Sequence, residues 1–187
     1  MSKIKILILF GESCAGKDYI QNWVVSNLPN THKMISCTTR EKRSDEQEGV
    51  NYFFLTNDQF AEKVLNGQML EATSYGGEFY GTSIDALDEN KVNIGVMDMV
   101  GIDILMNDSR FDILPVYVAA MPRTRILRAI RRDTSASISK ICERFLEDEE
   151  KFADITFDYE TLINDPLLMK ADVYEEIEKI INDFGQR

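Results

Sequence analysis

At 187 residues the chain is of a size for one compact domain with a small inserted unit, and its 44% apolar, 28% charged composition excludes disorder. A formal net charge of -11 disfavours nucleic acid and anionic membranes as partners, except through a local concentration of basic residues. The apolar run from Ile6 to Phe10 is far too short to span a bilayer, and no basic-then-apolar leader with a small-residue cleavage site opens the chain, so a cytoplasmic protein is expected.

The first element, KIKILILF from Lys3 to Phe10, is too continuously apolar for a half-exposed strand and ends at a glycine, so it reads as a buried parallel strand. GESCAGKD follows, and then Ile20, Trp23, Val24 and Leu28 recur at helical spacing before Pro29. Strand, glycine loop and helix stand in the order that a phosphate-binding loop requires. The segment Gly11, Glu12, Ser13, Cys14, Ala15, Gly16, Lys17 fits G-x-x-x-x-G-K: its backbone N–H groups and the helix N-terminus suit a phosphate chain, and Lys17 can reach the terminal phosphates.

The next position is usually a Ser or Thr whose hydroxyl ligates Mg²⁺, and here it is Asp18. A carboxylate is also a hard oxygen ligand for Mg²⁺, directly or through water. Without the metal, a carboxylate about 4 Å from a phosphate charge costs about 4 kcal/mol at an effective dielectric near ~20, offset in part by Lys17. Strong magnesium dependence is therefore expected.

Met34 to Asn90 differs in character, rich in Thr, Tyr, Phe, Gly and charged residues with short apolar runs, and reads as an inserted small α+β unit. Val92 to Met99 and Ile113 to Ala120 read as two further strands. Arg123 to Lys151 reads as a second insertion; five arginines fall in its first ten residues (Arg123, Arg125, Arg128, Arg131, Arg132), followed by Arg144 and an acidic run. In an acidic chain this concentration favours anion binding. A final helix aligns Val173, Ile177, Ile180, Ile181 and Phe184. Alternating strands and helices imply an α/β fold, a doubly wound and mostly parallel sheet flanked by helices. Cys14, Cys37 and Cys142 fit neither a disulfide framework nor paired zinc ligands, and His32 has no evident Ser or Cys partner.

SCTTREKRSDEQEGVNYFFLT from Ser36 and GQMLEATSYGGEFYGTS from Gly67 resemble the monophosphate-binding region of guanylate kinases, and LINDP near the end is similar to that family's late V-N-D segment. With the phosphate loop and the arginine-rich segment, the resemblance extends over most of the chain. It implies a single domain with a core of about 1–33, 91–122 and 152–187, an acceptor-binding insertion of about 34–90 and a helical lid of about 123–151. The implied reaction moves the γ-phosphoryl group of ATP, with Mg²⁺, to GMP or dGMP.

By the same resemblance, Arg40, Arg43, Tyr52 and Tyr80 hold the acceptor phosphate; paired arginines and a tyrosine hydroxyl suit that chemistry. Glu71 falls where the family reads the base, and a carboxylate accepting two parallel N–H bonds suits the guanine N1 and N2 edge. Ser36 and Thr82 complete base recognition, and Asp98 matches the second acid of a D-x-D stretch. Arg128, Arg132 and Arg144 are the closest matches to the lid arginines that work with Lys17 on the phosphates, with Arg131 an alternative to Arg132, and Asn164 matches a position near the donor base.

Two departures stand out. The D-x-D stretch reads Val96-Met97-Asp98, losing its first acid, while Asp18 adds one in the loop. Asp18, with Asp98 acting indirectly, is thus the candidate for positioning the metal. A kinase of another deoxy or modified nucleotide and a catalytically silent guanylate-kinase-like binding module are the competing expectations. Small-molecule nucleotides are the expected partners, with a monomer or homodimer equally open.

Overall fold

The computed structural model describes residues 3–44, 46–132, 137–166 and 172–187. Strand β1 (Ile4–Phe10) leads through the glycine loop into helix α1 (Lys17–Asn27) and the short β2 (Thr31–Lys33). A second region follows, with β3 (Cys37–Thr38), β4 (Phe53–Phe54), α2 (Asn57–Leu65), β5 (Met69–Tyr75) and β6 (Glu78–Ser83). The chain returns as β7 (Val92–Val96), α3 (Met99–Met106) and β8 (Phe111–Ala119), continues through α4 (Pro122–Arg132) and α5 (Ile138–Lys151), and finishes with β9 (Glu160–Ile163) and α6 (Val173–Gln186).

Five strands form one parallel sheet in the order β2-β7-β1-β8-β9, and four form a mixed sheet in the order β4-β3-β6-β5. The unbroken apolar run of β1 has its reason in this placement at the centre of the parallel sheet. Ile6, Ile8 and Phe10 pack on one face with Met34, Ile102, Leu105 and Phe111; Leu7 and Leu9 pack on the other with Ile20, Val24, Val116, Leu162, Ile177 and Phe184. Every β1 side chain from Ile6 to Phe10 is fully buried, each contributing about 2 kcal/mol of hydrophobic stabilisation.

The strand expected over Val92 to Met99 ends at Val96, because Asp98 leaves the sheet to cap α3, its carboxylate accepting the Gly101 N–H at 2.9 Å. The strand expected from Ile113 starts two residues earlier, where Phe111 pairs with Ile4, and ends at Ala119. The sequence pattern did not announce β2 or β9: Thr-His-Lys has no apolar alternation, and of Glu160–Ile163 only Leu162 is buried. In α6, Val173, Ile177, Ile181 and Phe184 are buried and Ile180 packs at their margin.

Candidate active site

The loop after β1, Asp98 after β7 and helices α4 and α5 meet at the carboxyl edge of the parallel sheet, the usual place for ligands in open α/β folds. A cavity of about 460 Å³ opens there. Its walls bring together Gly11, Ser13, Cys14, Gly16, Lys17, Asp18, Ser36, Arg40, Arg43, Tyr52, Glu71, Tyr80, Asp98, Arg128, Arg132 and Arg144. Arg132 reaches this wall and Arg131 does not. Glu12, Ala15, Thr82 and Asn164 stand behind it.

The glycine loop turns into α1 through Gly16, whose φ of 99° is left-handed and whose added Cβ would lie 2.2 Å from Asn164 Nδ2. Only glycine fits both conditions. Lys17 Nζ folds back over the loop, donating to Gly11 O at 2.7 Å and Glu12 O at 3.0 Å. Burial pushes its ammonium below the usual lysine range, with Asp18 and then Asp148 pulling it back up. Arg128 donates to Ala15 O at 2.9 Å and Asn164 O at 3.0 Å, and Asn164 Nδ2 donates to Ala15 O at 2.7 Å. Asn164, expected near the donor base, thus braces the underside of the loop.

Among the described residues, no group of three or more His, Cys, Asp and Glu side chains is arranged to hold a metal alone. Asp98 is already engaged, capping α3 and lying 3.5 Å from Lys151 Nζ. Asp18, in the first turn of α1, is exposed at the cavity and is the carboxylate best placed to meet a metal carried in by a nucleotide.

The other part of the cavity is built on the mixed sheet. Glu71 on β5 is 7% exposed and accepts the Thr82 hydroxyl at 2.8 Å, while Thr82 Oγ1 lies 3.3 Å from Ser36 Oγ. Burial raises the Glu71 carboxyl to about 7, partly countered by the Thr82 hydrogen bond and reinforced by Asp98. Gly101 leaves room for it: a Cβ there would sit 3.2 Å from Glu71 Oε2. Arg40 and Arg43 are organised by Glu46, which takes Arg40 NH2 at 2.7 Å and the Arg43 backbone N–H at 2.8 Å, with Arg43 NH1 at 3.6 Å. The Arg40 guanidinium also lies over Tyr52, 5.6 Å from its ring centre. Desolvation lifts the Tyr52 phenol to about 12, so it remains a hydrogen-bond donor at neutral pH.

Several residues beside these had no individual role legible in the sequence. Glu46 carries no signal beyond being one acid in a charged stretch. Tyr75 meets α5, donating to Glu147 at 3.2 Å and lying under Arg144 and Lys151. Arg125 and Asp148 reach the loop itself.

A strand, glycine loop and helix carrying a lysine, opening on a cavity ringed by arginines, define a phosphate-loop nucleotide-binding protein. The family model described as guanylate kinase matches residues 3–184. The chain is 30% identical to a guanylate kinase of Trichodesmium erythraeum over 97% of its own length and 98% of that protein's. It is 28% identical to a guanylate kinase of Mycoplasmoides gallisepticum, covering 97% and 93% respectively. The crystal structure of guanylate kinase from Anaplasma phagocytophilum superposes with a TM-score of 0.67 at 24% identity, over 99% of this chain and 86% of that one. The chain belongs to the guanylate kinase family.

Proposed function

We propose that the chain transfers the γ-phosphoryl group of MgATP to GMP or dGMP, giving ADP and the corresponding guanosine diphosphate. The observation that carries this reading is Glu71, a buried carboxyl titrating near neutrality in the same cavity as the Lys17 loop. Ionised, it accepts N1–H and N2–H of guanine; adenine offers no such pair. Thr82 holds Glu71, Ser36 meets the Thr82 hydroxyl behind it, and both complete the base contact. Arg40, Arg43, Tyr52 and Tyr80 hold the acceptor phosphate through charge-assisted and neutral hydrogen bonds.

The donor triphosphate lies along Gly11 to Asp18, with Lys17 on its terminal phosphates and Arg128, Arg132 and Arg144 neutralising charge on the transferred group. An acceptor phosphate is already ionised, so positioning and charge neutralisation suffice without a general base. Magnesium, when bound with ATP, neutralises phosphate charge, and Asp18 is the residue that would hold it, directly or through water. Asp18 thereby offsets the acid missing at Val96. Segments 34–90 and 123–151 close over the ligands and exclude water, as the contact of Tyr75 with α5 favours.

The test is ADP release from MgATP with GMP, dGMP, AMP, CMP and UMP in turn, across magnesium concentration. Turnover confined to GMP and dGMP is expected; none with any acceptor, despite GMP binding, would make the protein a binding module. For Asp18→Asn the expected outcome is a several-fold higher magnesium requirement, and unchanged magnesium affinity in both Asp18→Asn and Asp18→Ser would remove Asp18 from the metal site.

A further inference from the structure

A loop that aims its N–H groups at an anion must turn its carbonyls away, and each buried carbonyl then needs a donor. Here one donor is local, Lys17, and the others come from far along the chain. Glu12 O accepts from Lys17, Cys14 O from Arg128 at 3.3 Å, and Ala15 O from Arg128 and Asn164. Ser13 is held at both ends. Its carbonyl accepts Arg125 Nε at 2.9 Å, its N–H donates to Asp148 Oδ2 at 2.8 Å, and its hydroxyl lies 3.2 Å from Asp148 Oδ1. Arg125 NH2 donates to the same Asp148 oxygen at 2.8 Å and closes the ring, while NH1 pairs with the Glu12 carboxylate.

Both lid residues are buried, Arg125 at 1% and Asp148 at 5% exposure, and the guanidinium stacks 4.4 Å from the Phe145 ring centre. A second observation places the need for this ring one residue on. Cys14 has φ of 62°, and among the described residues it is the one non-glycine with positive φ. Such a conformation persists only where its surroundings over-determine it. The Ser13–Cys14 peptide is pinned by Arg125 on its carbonyl side.

We propose that Arg125 and Asp148 are positioning residues for the donor, locking the Ser13 and Cys14 backbone so that the following N–H groups point at the phosphates. The inference rests on the donor nucleotide occupying this loop. Neither side chain touches the reacting atoms; α4 and α5 become part of the donor site through them. Arg125 does this because its planar fork serves a carbonyl and two carboxylates at once, which the single ammonium of lysine does not reproduce.

The experiment is direct titration of MgATP, and separately of GMP, into wild-type protein, Arg125→Met, Asp148→Asn and the double variant, with thermal unfolding to certify folding. The expected result is a dissociation constant for MgATP raised about tenfold in each single variant and no further in the double, with GMP affinity within about twofold of wild type. Folded variants with unchanged MgATP affinity overturn the inference. So do losses that multiply in the double variant, or GMP and MgATP weakening together, since either denotes general loosening. Should Arg125→Met fail to fold, Asp148→Asn alone decides, being isosteric. Binding needs no turnover, so wild-type protein that binds MgATP but phosphorylates no guanine nucleotide would sink the proposed reaction while leaving this test intact.

Discussion

The two parts of the cavity are supported in different ways. The side proposed for the acceptor is local: Glu71, Thr82, Arg40, Arg43, Tyr52 and Tyr80 all come from the segment that carries the mixed sheet, and Glu46, which organises both arginines, lies three residues past Arg43. The donor loop is itself a contiguous run, yet Arg125, Arg128, Asp148 and Asn164 hold it from more than a hundred residues away. A pocket around Glu71 can be assembled within one small sheet. In the glycine loop only Lys17 reaches back to the loop's own carbonyls, so the remaining bracing arrives from α4, α5 and the strand edge.

That contrast is broken most severely by removing the charge at the loop. Lys17→Met should lower kcat by about a thousandfold or more, measured as ADP release at saturating GMP, with GMP binding retained because the acceptor side does not depend on the loop. Glu71→Gln should raise KM for GMP about a hundredfold with little change in KM for ATP, since an amide cannot accept both guanine N–H groups.

Glu71 also sets a pH dependence in the empty protein. Its carboxyl titrates at about 7 when folded, against an ordinary carboxyl value of 4.5. Between those values the folded state holds the proton more tightly, so its contribution to stability is full below about 4.5 and declines as pH rises through about 7, by about 3 kcal/mol at most. Chemical denaturation from pH 4.5 to 8 should show that decline in wild type and lose it in Glu71→Gln. Gly101→Ala, which places a methyl 3.2 Å from Glu71 Oε2, should raise KM for GMP about tenfold and leave the donor unaffected. Smallest is Glu46→Gln, expected to weaken GMP a few-fold by loosening Arg40 and Arg43.

How much of this was legible in the sequence follows the same division. The buried central strand and the glycine loop each announce themselves over consecutive residues, and the final helix shows its apolar face at regular spacing. Strands β2 and β9 did not, because three or four residues with little buried apolar surface carry no periodicity. Arg125 was visible only as one arginine among five, and nothing in its neighbours distinguished a fully buried guanidinium from a solvated one. Asp148 was hidden in an acidic helix run for the same reason. Both signals are distances between residues remote in the chain, which spacing does not encode.

The most direct measurement of the central claim, that Glu71 reads guanine as an anion, is the dissociation constant of GMP from pH 6 to 8 for wild type and Glu71→Gln side by side. Ionisation of the GMP phosphate near ~6 enters both curves and cancels in their ratio. The predicted result is a wild-type affinity, relative to the variant, that rises about fivefold from pH 6 to 7 and about twofold more by pH 8. A ratio that stays flat across that range would contradict the account.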